Sequence, residues 1–269
     1  MTIKAYWWKG DGNNFGDVIS PIILKQLTGQ KIVYSEEENS FCSIGSLAYF
    51  NFNSKKTFWG SGVISREHKS KLVREHNFLA VRGPKSRKKI IEDGGECPEV
   101  YGDPGVLLPI LFPKKDFNIS KRYKISIFPH WMDYKHVKTF PIVKNSHVNV
   151  IDIRQDYLDV IKDAISSDFL ICSSLHALIL GEAYGIPSIF CAFGNKLVGG
   201  SFKFEDYFNS TGRELIGLDH RYKRDDLDLS SCHKTYEKMK KPKIELKKFI
   251  DSFPFDITHK KVLSLAEEA

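Results

Sequence analysis

The fold class legible in this chain of 269 residues is α/β, with two Rossmann-like doubly wound domains facing each other across a cleft. Two observations predict it. Strand-like and helix-like segments alternate nearly throughout, the pattern of parallel sheets flanked by helices. One stretch, Phe112–Arg122, holds a proline, many charges and few apolar residues, and divides the alternation in two. The expected domains are residues 1–117 and 118–269, the second with a charged helical tail from about residue 213.

Each element has a local reason. Ile3–Trp8 reads as a strand, followed by a Gly/Asn-rich loop through Gly16. Asp17 is the expected N-cap of a helix over Val18–Leu27, with Pro21 tolerated in its first turn and Thr28-Gly29 as its stop. Lys31–Tyr34, Ser40–Ile44, Lys56–Trp59 and Asn77–Val81 read as strands. Pro84 opens a helix to Glu92, stopped by Asp93-Gly94-Gly95. Val100–Asp103 is a short expected strand. Lys124–Phe128 and Val148–Ile153 follow as strands, and Tyr157–Ser166 is an amphipathic helix. The strand Phe169–Cys172 then meets a polar step, Ser173-Ser174-Leu175-His176, before an apolar helix, the Gly185-Ile186-Pro187 break and the strand Ser188–Cys191.

Composition narrows the function classes. Apolar content of 42% and charged content of 27% are ordinary for a globular protein. A net charge of +7 favours an anionic partner, whether a phosphorylated substrate, an acidic glycan or a lipid surface. No nucleic-acid recognition motif is present. Aromatics at 13% suit sugar or nucleotide partners and equally fill cores. Five scattered cysteines without a CxxC pair point to reduced thiols in the cytoplasm and away from a zinc site. There is no signal-peptide pattern before Trp8, no GxGxxG, no Walker A loop, no HExxH and no GxSxG.

Polar or glycine-rich clusters follow the strands. They are Asn14-Phe15-Gly16-Asp17, Gly45-Ser46, Trp59-Gly60-Ser61-Gly62, Arg82-Gly83-Pro84, Gly102-Asp103-Pro104, Pro129-His130 and Ser173–His176. In parallel sheets these fall at the carboxyl edge, where ligands bind. Taken singly, each also reads as a turn, a cap or a buried structural group. The exception is His176, whose polar step interrupts strongly apolar flanks.

Together these motifs resemble the polysaccharide pyruvyl transferase family, and most closely the short ketal pyruvate transferases of exopolysaccharide assembly. Tyr101-Gly102-Asp103-Pro104, Ser174-Leu175-His176, Glu182–Pro187 and Lys203-Phe204-Glu205-Asp206-Tyr207 extend the likeness across residues 13–208. The resemblance implies a GT-B-like arrangement, with the acceptor on the N-terminal side and phosphoenolpyruvate on the C-terminal side. It implies transfer of the pyruvyl group of phosphoenolpyruvate to sugar hydroxyls as a cyclic ketal, with release of phosphate. It implies that no cofactor or metal is required, phosphoenolpyruvate being a co-substrate.

By the same resemblance His176 is the general acid and Arg82 a substrate-binding cation. The family's lysine maps onto Lys196 or Lys203, and spacing favours Lys196. Ser174 stands where many members carry arginine. Asp17 is the candidate to orient or deprotonate the acceptor hydroxyl, and His130 to bind phosphate or sugar. Ser173, Ser174, Asn14, Gly16, Ser61, Gly62 and Asp103 complete the expected substrate-binding set. If the acceptor is lipid-linked, the basic surface brings the enzyme peripherally to the inner face of the membrane. Two other classes fit the same residues: a GT-B glycosyltransferase using a nucleotide sugar, and a non-catalytic glycan-binding assembly protein.

Overall fold

The computed structural model describes residues 2–10, 12–119, 122–221 and 227–267. Residues 120 and 121 of the expected linker, and 222–226 of the expected tail, lie outside the described residues. The first half runs β1 (Thr2–Tyr6), α1 (Phe15–Thr28), β2 (Lys31–Tyr34), β3 (Phe41–Cys42), β4 (Thr57–Trp59), β5 (Asn77–Ala80), α2 (Pro84–Glu92) and α3 (Leu108–Leu111). The second runs β6 (Ile125–Phe128), α4 (Tyr134–Val137), β7 (Val148–Val150), α5 (Tyr157–Ile165), β8 (Leu170–Cys172), α6 (Leu175–Ala183), β9 (Ser188–Ala192), α7 (Phe202–Ser210) and β10 (Gly217–Asp219). Three helices follow: α8 (Leu229–Glu237), α9 (Leu246–Asp251) and α10 (Lys260–Glu267).

The strands form two five-stranded sheets, ordered β2-β1-β3-β4-β5 and β10-β9-β8-β6-β7. Every pairing between these strands is parallel. Counted from its own first strand, each sheet has the same order, 2-1-3-4-5. That is the flavodoxin-like order of doubly wound proteins, with its topological switch between the first and third strands. The sequence shows no internal repeat, so the likeness of the halves is one of topology. The second sheet is apolar on both faces: every residue of β6, β8 and β9 is buried.

Several element ends differ from the sequence reading for local reasons. Helix α1 starts three residues early: Asn14 is the N-cap residue, Asp17 lies in the first turn, and the Val18 amide donates to the Asn14 carbonyl at 3.1 Å. An acidic residue in a first turn is favourable beside the helix dipole, which is why it resembled a cap. Pro21 consequently falls in the second turn. The strand expected at Val100–Asp103 reduces to one bridge, Val81 to Tyr101. Asp103 ends it by capping a 3₁₀ turn at Pro104–Leu107, accepting from the Gly105 amide at 2.9 Å.

Helix α8 packs on the second sheet, but the chain beyond it crosses to the first. Helix α9 packs against the first, where Phe249 stacks on the fully buried Trp59 with ring centroids 4.3 Å apart. The Trp59 indole donates to the Phe249 carbonyl at 3.0 Å. Farther on, the Thr258 amide donates to the Leu27 carbonyl at the end of α1, at 2.8 Å. One buried cluster includes Ile3, Phe15 and Trp59 of the first half and Leu170, Ile179 and Phe190 of the second, so the core is continuous between them. All five cysteines are buried and form no disulfide. Among the described residues no helix is long and apolar enough to cross a membrane.

Candidate active site

The two topological switch points carry most of the chemistry-bearing residues. In the first sheet the β1–α1 connection brings Asn14, Gly16 and Asp17 to the junction of β1 and β3. Gly45, after β3, lies beside them: a Cβ there would be 3.9 Å from Asp17 Oδ1. In the second sheet the switch lies between β6 and β8. The loop after β6 carries His130, and β8 leads through Ser173 and Ser174 into α6. The His130 amide donates to Ser173 Oγ at 2.8 Å, tying these two strand ends together.

His176 is the second residue of α6 and faces the first half of the chain. A Cβ on Gly16, itself the second residue of α1, would lie 1.9 Å from His176 Nδ1. Gly16 is therefore glycine because the imidazole occupies the space of a side chain. On its other side His176 Nε2 is 3.7 Å from Asp103 Oδ2, beyond hydrogen-bonding distance. Both atoms are buried without a partner, an arrangement that a small approach would convert into a hydrogen bond. Asp103 Oδ1 is already committed to its cap. Gly16→Ala tests this packing. Alanine raises helix propensity, so the melting temperature should hold or rise, while the displaced ring takes activity down with it. Retained activity in that variant would contradict the contact.

Asp17 and Lys203 complete the cluster. Asn14 Nδ2 donates to Asp17 Oδ2 at 2.6 Å. Burial raises the Asp17 carboxyl above its ordinary range, while the Asn14 hydrogen bond and the nearby His176 and Lys203 charges pull it down. Lys203 is the second residue of α7. Burial, and then repulsion from Arg82, pushes its amine down to about 8, with Asp17 acting the other way. First-turn residues of α1 and α6 thus meet, and Lys203 in the first turn of α7 lies within electrostatic reach of Asp17. Helix N-termini present unpaired N–H groups and positive potential, and an anion placed among them is stabilised.

Arg82 has a different position from that of an open cation. It is fully buried, with Nε donating to Asp206 Oδ2 at 3.1 Å, Nη1 to Ser46 Oγ at 2.9 Å and Nη2 to the Val63 carbonyl at 2.6 Å. Asp206 also accepts from the Ser86 amide and hydroxyl, at 2.9 and 2.6 Å. This network joins the start of α2 to α7, the helix that bears Lys203. Gly62 and Gly83 make room for it: a Cβ on either would meet the Arg82 guanidinium at 2.5 Å or the Asp206 carbonyl at 2.0 Å. Ser61 is also buried, bridging strand-end loops by donating to the Gly45 carbonyl and accepting from the Leu47 amide.

The remaining expected residues lie around the second switch point. Burial, and then the Lys203 charge, pushes the His130 imidazole down to about 4, so at neutral pH it is an uncharged hydrogen-bonding group. Ser173 is fully buried and donates to Asp133 Oδ2 at 3.3 Å. Ser174 is buried as the N-cap residue of α6, but its side chain makes no capping bond. Lys196 is exposed, and the carboxylate that feels its charge is Asp133. Of the two lysines, Lys203 is the one whose charge reaches Asp17.

Two residues without an assigned role in the sequence reading prove central to this geometry. Asp206 holds Arg82, and Glu182 accepts from Tyr207 at 2.8 Å and from both Arg213 terminal nitrogens at 2.7 and 2.8 Å, fastening α6 to α7. Both fall in quoted motifs. Their partners are 124 and 31 residues away, so no local spacing marks them.

Comparison with known proteins agrees with the motif resemblance. The profile of the polysaccharide pyruvyl transferase family matches residues 14–195. The chain is 28% identical over 212 residues to uncharacterized protein L143 of Acanthamoeba polyphaga mimivirus, covering 75% of this chain and 72% of that one. It is 27% identical over 221 residues to the succinoglycan biosynthesis protein ExoV of Rhizobium meliloti (strain 1021), covering 78% of this chain and 65% of the relative. A solved structure of a functionally uncharacterized protein, KP1_0663 from Klebsiella pneumoniae subsp. pneumoniae NTUH-K2044, aligns with a TM-score of 0.46 at 13% identity, over 77% of this chain and 87% of that one. The chain is a transferase enzyme that belongs to the polysaccharide pyruvyl transferase family.

Proposed function

We propose that this enzyme moves the pyruvyl group of phosphoenolpyruvate onto hydroxyls of an exopolysaccharide repeat unit, forming a cyclic ketal. The reaction site lies between the carboxyl edges of the two sheets, in a GT-B-like arrangement of residues 1–117 and 118–269. One arrangement supports this reading: His176 of the second half packs on Gly16, next to Asp17, and the Asp17 carboxyl feels the charges of His176 and Lys203, all three at helix starts. The set supplies a proton donor, a proton acceptor and a cation, which ketal formation from an anionic enol phosphate requires.

In this reading His176 protonates the vinyl carbon of phosphoenolpyruvate, leaving C2 electrophilic. A sugar hydroxyl attacks C2 and gives its proton to Asp17, whose raised carboxyl is the more basic for being buried. The C2–O bond to phosphate breaks, and a second hydroxyl closes the ketal. Of the two protons released by the hydroxyls, one replaces the proton spent on the vinyl carbon and the other leaves with hydrogen phosphate. Lys203 and the helix N-termini hold the anionic groups, and Asp103 orients His176. Neutral His130 serves as a hydrogen-bonding group for phosphate or sugar. Arg82 acts through Asp206 and Lys203 and does not touch substrate. A lipid-linked acceptor and peripheral contact with the inner membrane face are part of the same reading.

The test is incubation with phosphoenolpyruvate and a candidate repeat unit, following free phosphate and the mass of the glycan. Phosphate release with a pyruvyl ketal on the product is the expected result. Release of UDP from UDP-sugars, with no use of phosphoenolpyruvate, would replace this reading with glycosyl transfer.

Lys203 adds a pH signature. Its amine binds an anion only when protonated, so Lys203 contributes a fall in kcat/KM for phosphoenolpyruvate as pH rises through about 8. Lys203→Arg, which stays charged, should remove this alkaline limb. An unchanged limb in that variant would assign the titration to another group.

A further inference from the structure

The carboxyl edge of the first sheet holds a second feature that the reaction described above does not use. A cavity of about 280 Å³ is walled by five aromatic side chains, Tyr6, Trp8, Tyr34, Phe50 and Phe52. Tyr6 ends β1, Tyr34 ends β2, and the two phenylalanines lie in the loop after β3. Four of the rings pack on one another as a core would. Phe52 meets Tyr6 edge-on with centroids 4.8 Å apart, Phe50 lies 5.2 Å from Phe52, and Tyr34 lies 5.6 Å from Tyr6.

Trp8 is the exception. It contacts Phe50 at 5.3 Å yet keeps 46% of its surface exposed. Its indole is laid over the backbone of Gly10, where a Cβ would be 1.9 Å from Nε1. The chain therefore spends a glycine to hold a large, exposed aromatic ring at a cavity mouth. The rim is polar. Asn51 and Asn53 are exposed, Glu36 accepts from the Tyr34 hydroxyl at 2.6 Å, and the Lys9 amine sits 3.6 Å over the Tyr34 ring.

This combination selects among ligands. A lipid chain would gain nothing from two amides, a carboxylate and an ammonium. A phosphate would meet Glu36. A pyranose fits both parts, with an apolar C–H face to lie on an aromatic ring and hydroxyls for amides and carboxylates. The volume suits a single ring, being at the small end for ligand pockets. The cavity lies at the same sheet edge as the candidate active site. One connection, β1 to α1, carries both Trp8 and Asp17, and the Tyr6 hydroxyl is raised above its usual range by burial, with the Asp17 carboxylate among the lesser causes.

We propose that this cavity binds a neutral hexopyranose unit of the acceptor glycan, stacked on Trp8 and hydrogen-bonded by Asn51, Asn53 and Glu36. The assignment rests on the reading of the acceptor as a glycan and adds the subsite that grips it.

Binding can be tested without catalysis. The full chain, with no phosphoenolpyruvate present, is titrated by saturation-transfer NMR against neutral gluco-, galacto- and manno-oligosaccharides. At least one should receive saturation, strongest at its ring C–H protons. Its Kd should weaken about tenfold in Trp8→Ala, the scale of one aromatic platform, and change little in Trp8→Phe. Should Trp8→Ala fail to fold, Asn51→Ala, on an exposed rim residue, is expected to weaken the same sugar at least threefold. The proposal is overturned if no sugar of the panel binds the wild type, or if binding is indifferent to both positions. Trp8-dependent sugar binding with no phosphate release from phosphoenolpyruvate would sink the transfer reaction and leave this site standing. Ketal formation without Trp8-dependent binding would do the reverse.

Discussion

Replacing His176 with alanine is expected to lower pyruvyl transfer by about 10²–10⁴-fold, the usual weight of a general acid, and to leave the protein folded. The two halves of this expectation come from the same geometry. The side chain is 14% exposed, and its buried Nε2 has no hydrogen-bond partner, so truncation breaks no bond that the fold depends on. The groups around it, Gly16, Asp103 and Asp17, belong to two strand-end segments of the first half. Phosphate release from phosphoenolpyruvate and a thermal melt, measured on one preparation, check both halves. A loss of only a few-fold would remove His176 as the proton donor, and a collapsed melt would make it a structural residue.

The second large effect is on stability. Asp206→Ala should destabilise the protein by about 3–5 kcal/mol, because it strands the buried Arg82 charge. At this size that is a fall in Tm of roughly 6–20 °C. Arg82 is fully buried and Asp206 receives three hydrogen bonds, from Arg82 Nε and from the Ser86 amide and hydroxyl. Arg82→Ala strands Asp206 in the same way and should cost a similar amount. The sequence reading expects that variant mainly to weaken phosphoenolpyruvate binding. The geometry instead predicts a loss of stability first, with any binding effect following from the displacement of α7 and Lys203. The paired change Arg82→Met with Asp206→Leu should recover much of the lost Tm, since apolar groups of similar size often replace a buried ion pair at no cost. Single variants that melt with the wild type would contradict the buried pair.

Much of the architecture could be read locally. Pro84 and Asp93 bound α2 as start and stop residues, and the apolar runs at 125–128, 170–172 and 188–192 are strands buried on both faces. Strand order was not legible. Pairing of β6 with β8, or of β1 with β3, joins segments separated by whole helices, and neither composition nor period records such a partner. The same limit applied to the tail. Its charged, helical character is plain, yet nothing near Phe249 announces that it stacks on Trp59, 190 residues earlier.

The chain by itself determined that strands and helices alternate and that polar clusters close the strands. It also determined that His176 interrupts an apolar run at a helix start. These are matters of side-chain type and short-range spacing, which the backbone reads within a few residues. Only the tertiary structure decided which of those clusters meet. It put Lys203, and not Lys196, within electrostatic reach of Asp17, turned Arg82 inward to Asp206, and set Gly16 against the imidazole of His176. Each of these depends on two segments from different halves being brought together, and their separation is fixed by how the two sheets and their helices pack.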